Sequence, residues 1–205
     1  MTLSSSGREI GTAIRLTLVL AAITGLAYPL AMTGISQVAF HDQANGSLVT
    51  KNGQVVGSKL IGQQFTKPEY FHGRVSATVD PSNPSKPSPY NAANSAGSNL
   101  GPSNQALIDH TSKDVAAARK DNYLDPNAPV PADLVTADFS GVDPDITEAS
   151  ALLQANRVAL ARNLDPTKVS ALVERHVQGR LLFIFGEPRV NVLDVNMALD
   201  SGEAR

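Results

Sequence analysis

One stretch limits what this chain can become more than any other: Leu16 to Val38, LTLVLAAITGLAYPLAMTGISQV, which holds no charged residue. Its about 23 residues, at roughly 1.5 Å each, make a helix of about 35 Å, enough to cross a hydrocarbon core of roughly 30 Å with some tilt. Arg15 bounds it on one side and the His41-Asp42 pair on the other. A core helix would show one polar face, whereas Thr17, Thr24, Thr33 and Ser36 are scattered. A cleaved leader would find a small-x-small site at Gly25-Leu26-Ala27, yet the apolar run continues well past Ala27. A single uncleaved membrane anchor fits the length best, with the leader and the core helix as its rivals.

Pro29 lies inside this span, between Gly25 and Gly34. In water it would end a helix, but in a membrane the freed carbonyls can be satisfied by neighbouring helices or by Ser and Thr hydroxyls. Two readings stand: a kinked helix packed on partner helices through Gly25, Pro29 and Gly34, or a kink with no partner. Orientation follows from the flanks. Arg8 and Arg15 precede the span, and no Lys or Arg follows it until Lys51, which predicts the N-terminus inside and the rest outside. The expected organisation is a cytoplasmic tail (1–15), a transmembrane helix (16–38) and one soluble extracytoplasmic domain (39–205).

The residues beyond the anchor suffice for one domain of ordinary size. A net charge of −2 and a pI near 6.1 offer no basic field for nucleic acid. Cysteine is absent, which excludes thiol chemistry, Cys-based zinc sites and disulfides. With no Trp and only 5% aromatic residues, the core must be built from Ala, Val, Leu and Ile.

Asn52-Gly53 between Leu48-Val49-Thr50 and Val55-Val56 predicts a tight hairpin, because both turn residues need positive φ. Phe65, Tyr70 and Phe71 read as a local apolar cluster. From Asp80 to Asn104 the chain turns to Pro, Ser, Asn and Gly, which fits either a disordered linker or an ordered loop whose side chains satisfy its own backbone. Ser103 or Asn104 can cap a helix ending near Asn122, and Thr147 a second ending at Asn163. Between them ADFSGVDPDIT reads as a turn region. Asp165-Pro166 starts a third helix, with Val169, Leu172, Val173 and Val177 on its buried face. Leu181–Phe185 reads as a buried strand, and Val190, Val192 and Val195 as another. The sum is an α+β domain.

Chemistry is harder to find. Asp138, Asp143, Asp145 and Glu148 lack the spacing and central glycine of a calcium loop, so solvated turn carboxylates are expected. His41, His72, His110 and His176 are far apart, and no pair has metal-ligand spacing on one helix. Ser140-Gly141 is not in a nucleophile elbow. The sequence holds no GxxxxGK[ST] and no GxGxxG stretch.

Taken together, several segments resemble one family in its order along the chain. These are Thr24-Gly25-Leu26-Ala27-Tyr28-Pro29-Leu30 with Thr33-Gly34, then QANGSLV (43–49), GSKLIGQQF (57–65), YNAANSAGSNLGPSN (90–104), PADLVT (131–136) and GEPRVNVL (186–193). They resemble the C subunit of Kdp-type potassium-transporting P-type ATPases. Two departures are local: Arg74-Val75-Ser76-Ala77 stands for Arg-Pro-Ser-Ala, and Asp143-Pro144-Asp145 for Asp-Pro-His. The resemblance implies a non-catalytic accessory subunit in the bacterial inner membrane. Its partners would be a channel-like potassium-translocating subunit and an ATP-hydrolysing P-type subunit, with potassium as the transported ion. It implies no tightly bound cofactor, ATP reaching this chain only through the partner. The loop becomes an ordered contact surface, with Tyr90, Asn91, Asn94 and Asn99 facing a partner. It further implies a catalytic chaperone that raises ATP affinity, with Gln154 approaching the nucleotide. The charge bias opposes that last role, because it puts Gln154 on the side without ATP.

Overall fold

The structure, a computed structural model, describes residues 3–204. Met1, Thr2 and Arg205, the ends of the expected tail and domain, lie outside the described residues. The chain divides into two compact units that meet in sequence at Leu48 and Val49.

The first unit is helical: α1 (Leu3–Ala22), a five-residue π-turn (Ile23–Ala27), α2 (Tyr28–Ala39) and the short α3 (His41–Ala44). The helical path Ser6–Ala39, 34 residues, is long and apolar enough to cross a membrane. Helix therefore extends back through the expected tail. Pro29 explains the π-turn. It has no N–H to give and its ring displaces the carbonyl four residues earlier, and the ladder answers by widening. Tyr28 N–H donates to the Ile23 carbonyl, five residues back.

The second unit starts at Val49, within the hairpin formed by β1 (Leu48–Lys51) and β2 (Gln54–Ser58). Its turn residues Asn52 and Gly53 take φ of 53° and 78°, as the sequence requires. A ribbon of β3 (Val79–Asp80) and β4 (Asn83–Pro87) follows, then α4 (Gln105–Asp121), capped by the Asn104 side chain. The centre is an antiparallel sheet of order β5-β7-β6, made by β5 (Asp145–Thr147), β6 (Val177–Gln178) and β7 (Arg189–Asn191). Around it lie α5 (Glu148–Arg162), α6 (Pro166–Arg175) and α7 (Val192–Ser201). Thr147, Asp165 and Asn191 cap these helices by accepting from backbone N–H groups of the first turn.

The core is aliphatic as composition demands: Ile146, Val158, Val169, Leu172, Val173, Val190, Val195 and Leu199 bury together. Phe71 joins it as well, fully buried, rather than staying in a local cluster with Phe65 and Tyr70. The expected turn at 145–147 is strand β5, paired with β7. Val177 starts β6, because α6 stops at Arg175. Val192 and Val195 belong to α7, not to a strand. The Asn191 cap starts a helix there, and Val192, Val195 and Leu199 then share one buried face at helical spacing.

The larger correction concerns Leu181–Phe185. This run is no buried strand: its five side chains are all exposed, Phe183 at 95%. Leu182 and Phe183 take φ of 52° and 63°, so the chain turns back on itself. Leu181 N–H donates to the Phe185 carbonyl and Phe185 N–H to that of Leu181, each at 2.9 Å. The central strand β7 already has a neighbour on each side, so the run finds no place beside it.

Candidate partner-contact surfaces

The polar residues of the domain mostly serve its own backbone. The clearest case is the segment Pro68–His72, which lies outside every strand and carries the buried Phe71. Asn196 stands in for a neighbouring strand. Its Oδ1 accepts from Phe71 N–H at 2.8 Å and its Nδ2 donates to the Phe71 carbonyl at 2.9 Å. Gln154 does the same for His72, at 2.8 and 3.1 Å. Arg157 donates to the carbonyls of Pro68 and Tyr70, to Gln154 Oε1 at 2.7 Å and to Asn122 Oδ1 at 3.0 Å. Gln154 is 1% exposed, and its carbonyl oxygen carries two hydrogen bonds. Burial, and after it the Arg157 charge, pushes the pKa of His72 down. Its Nε2 then carries the proton that the Lys67 carbonyl accepts at 3.0 Å.

The Asn/Ser loop is ordered by the same means. Ser76 and Thr78 form its floor. Tyr90 N–H donates to Ser76 Oγ, and Asn91 N–H to Thr78 Oγ1. Asn91 and Asn94 send their amides back to the Val79 carbonyl, at 3.4 and 3.0 Å. The Tyr90 hydroxyl donates to the Arg74 carbonyl at 2.8 Å. Burial, with Asp138 and Asp143 nearby, raises its pKa strongly. A Cβ on Gly62 would stand 2.6 Å from the Tyr90 ring, so that glycine makes room for it. The structure thus brings Tyr90, Asn91 and Asn94 together over residues 74–79. Asn99, exposed and at φ 53°, makes none of these hydrogen bonds.

The carboxylates are tied down rather than merely solvated. Asp138 is 5% exposed, and its Oδ1 gathers the Ser140 N–H and hydroxyl and the Gly141 N–H. Asp143 pairs with Arg74 at 3.1 Å and Asp145 with Arg189 at 2.8 Å. Burial raises the pKa of Asp145, against the opposing pull of Asn191 and Arg189. Among the described residues, no three His, Cys, Asp or Glu side chains gather as metal ligands.

Among the described residues, the large apolar side chains that face outward are most concentrated on two surfaces. One is the apolar helix, where Gly25, Pro29 and Gly34 lie and whose most apolar window is wholly unburied. The other is the Leu181–Phe185 turn. The sequence carried a signal for it: Gly179 and Gly186 bracket the run, as they would a loop. A third, milder surface is α4, whose residues are all at least partly exposed. Beside it lies an open groove of about 550 Å³ lined by Pro102, Leu107, Ile108 and Val115.

Comparison with known proteins adds the context these surfaces lack. The family described as K+-transporting ATPase, c chain (KdpC) matches residues 10–201. The potassium-transporting ATPase KdpC subunit of Bradyrhizobium diazoefficiens is 56% identical over 202 residues, covering 97% of this chain and 99% of that protein. That of Rhodopseudomonas palustris (strain BisB18) is 55% identical over 200 residues, covering 96% and 99%. That of Paraburkholderia xenovorans is 56% identical over 187 residues, covering 91% and 93%.

Proposed function

The chain belongs to the family of K+-transporting ATPase c chains, and from that premise we propose that it is a non-catalytic accessory subunit of an ATP-driven potassium uptake complex. In this reading residues 16–38 anchor it in the bacterial inner membrane, with the N-terminus cytoplasmic and the domain outside. Its partners are the channel-like translocating subunit and the ATP-hydrolysing subunit, and potassium is their cargo. The match along nearly the whole chain carries the reading. The direction in which the polar groups point supports it: amides and guanidinium groups hold the domain's own backbone, while the apolar surfaces face outward. That is the arrangement of a rigid contact piece.

Gln154 fits the role of a positioning residue. It holds His72 and Arg157, and any effect on ATP affinity is then indirect, by favouring a pump conformation that binds nucleotide better. Such coupling is typically about 1–3 kcal/mol. The test is deletion of this subunit with its partners kept. Growth at limiting potassium and potassium-stimulated ATP hydrolysis should both be lost, and the intact chain should restore them. Normal growth and full hydrolysis without it would overturn the proposal.

A further inference from the structure

The wide turn in the anchor leaves an acceptor with nothing in its own helix to bond. In an α-helix the Thr24 carbonyl would receive the N–H of residue 28, and in a π-turn that of residue 29. Tyr28 gives its N–H to the Ile23 carbonyl instead. Residue 29 is proline, which has none. Among the described residues, therefore, neither regular main-chain donor is left for Thr24. The Gly25 carbonyl loses its α-helical donor to the same proline and keeps only the Leu30 N–H as a regular partner. The Thr24 hydroxyl gives its proton to the Leu20 carbonyl at 2.8 Å. The notch at Thr24-Gly25 offers acceptors only.

The glycine beside that carbonyl is the second observation. A Cβ on Gly25 would meet nothing within 4 Å, and the same holds for Gly34. Neither takes a positive φ. No atom of this chain requires a glycine at either place, yet the missing Cβ at Gly25 opens the carbonyl next to it to close approach.

We propose that the Thr24 carbonyl accepts a hydrogen bond from a side-chain donor on a transmembrane helix of a partner subunit, seated in the notch at Gly25. The inference rests on the reading of 16–38 as an anchor inside the pump complex. Water would satisfy such a carbonyl in solution, but hydrocarbon offers no donor, so lipid is not its occupant. The chemistry asks for a hydroxyl, a carboxamide or an indole N–H on the partner. The missing Cβ lets the partner helix come close enough to present it.

The test uses the full complex. Pro29→Ala returns an N–H to the ladder, and Gly25→Leu fills the notch. Both variants should insert in the membrane, and each should lower recovery of assembled complex about three- to tenfold, the size of one interhelical hydrogen bond. The carbonyl can be read directly by solid-state NMR after labelling Thr with ¹³C at the carbonyl and Gly with ¹⁵N. Only Thr24-Gly25 and Thr33-Gly34 carry such a bond, and Thr33 lies in regular helix α2 as an internal reference. On assembly the Thr24 carbonyl resonance should shift toward that of Thr33, while Thr33 stays fixed. An unmoved Thr24 resonance, or normal assembly of Pro29→Ala, overturns the inference. Normal assembly of both variants alongside lost assembly on deleting 16–38 overturns the notch alone. Normal assembly after that deletion overturns the anchor reading too.

Discussion

Gln154 shows why the identity of a side chain does not disclose its task. An amide can serve a ligand or a backbone, and here both of its ends serve the backbone of His72. A segment without a strand partner must still satisfy its N–H and C=O groups once buried, and Gln154, Arg157 and Asn196 do that for Pro68–His72. Gln154→Ala would leave two His72 main-chain groups and part of Arg157 without partners. We expect a loss of about 2–3 kcal/mol in the unfolding free energy of the full-length protein in detergent. In complexes that still assemble, the apparent affinity for ATP should be unchanged. A weakened ATP affinity with unaltered stability would instead give Gln154 a direct nucleotide role.

Among the elements, the loop from Tyr90 to Asn104 carries the sharpest prediction, because its asparagines do different work. Asn94→Ala removes the bond to the Val79 carbonyl and should cost about 1 kcal/mol of stability. Asn99 is exposed at φ 53°, so Asn99→Gly, which keeps that backbone free of strain, should leave the unfolding midpoint nearly unchanged while reducing co-purification with the translocating subunit. Equal effects of the two substitutions on stability would mean that the loop is internal scaffolding throughout. Composition could not tell an ordered loop from a linker here, since the groups that order it, Ser76, Thr78 and Ser140, lie at a distance in sequence. The Asn52-Gly53 hairpin was legible because its determinant is local: two adjacent residues that tolerate positive φ. Leu181–Phe185 was misread for the opposite reason. An apolar run of strand length shows what a segment could pair with, not whether an edge is free to receive it.

For the whole molecule, topology decides how the subunit can act. Arg8 and Arg15 before the span, with no Lys or Arg until Lys51, favour the orientation proposed above, in which the domain lies outside, away from ATP. The chain has no native cysteine, so a single Cys is a clean reporter. Lys168→Cys, on the exposed side of α6, should react with a membrane-impermeant thiol reagent in intact cells, and Ser5→Cys should not. The reverse pattern would put the domain on the ATP side and restore direct contact with nucleotide as the mechanism.

By itself the sequence determined the apolar span, the hairpin, the helix caps at Thr147 and Asp165, the aliphatic core and the family. Each of these rests on neighbouring residues or on a period along one element, which a chain displays before it folds. Tertiary structure alone decided which polar residues face inward, that Val192 and Val195 ride on a helix, and that Leu181–Phe185 lies bare. Those outcomes depend on which distant groups the fold brings to a given backbone or strand edge. Asn196 reaches Phe71 across 125 positions of sequence and Gln154 reaches His72 across 82, and no local pattern records a meeting of that kind.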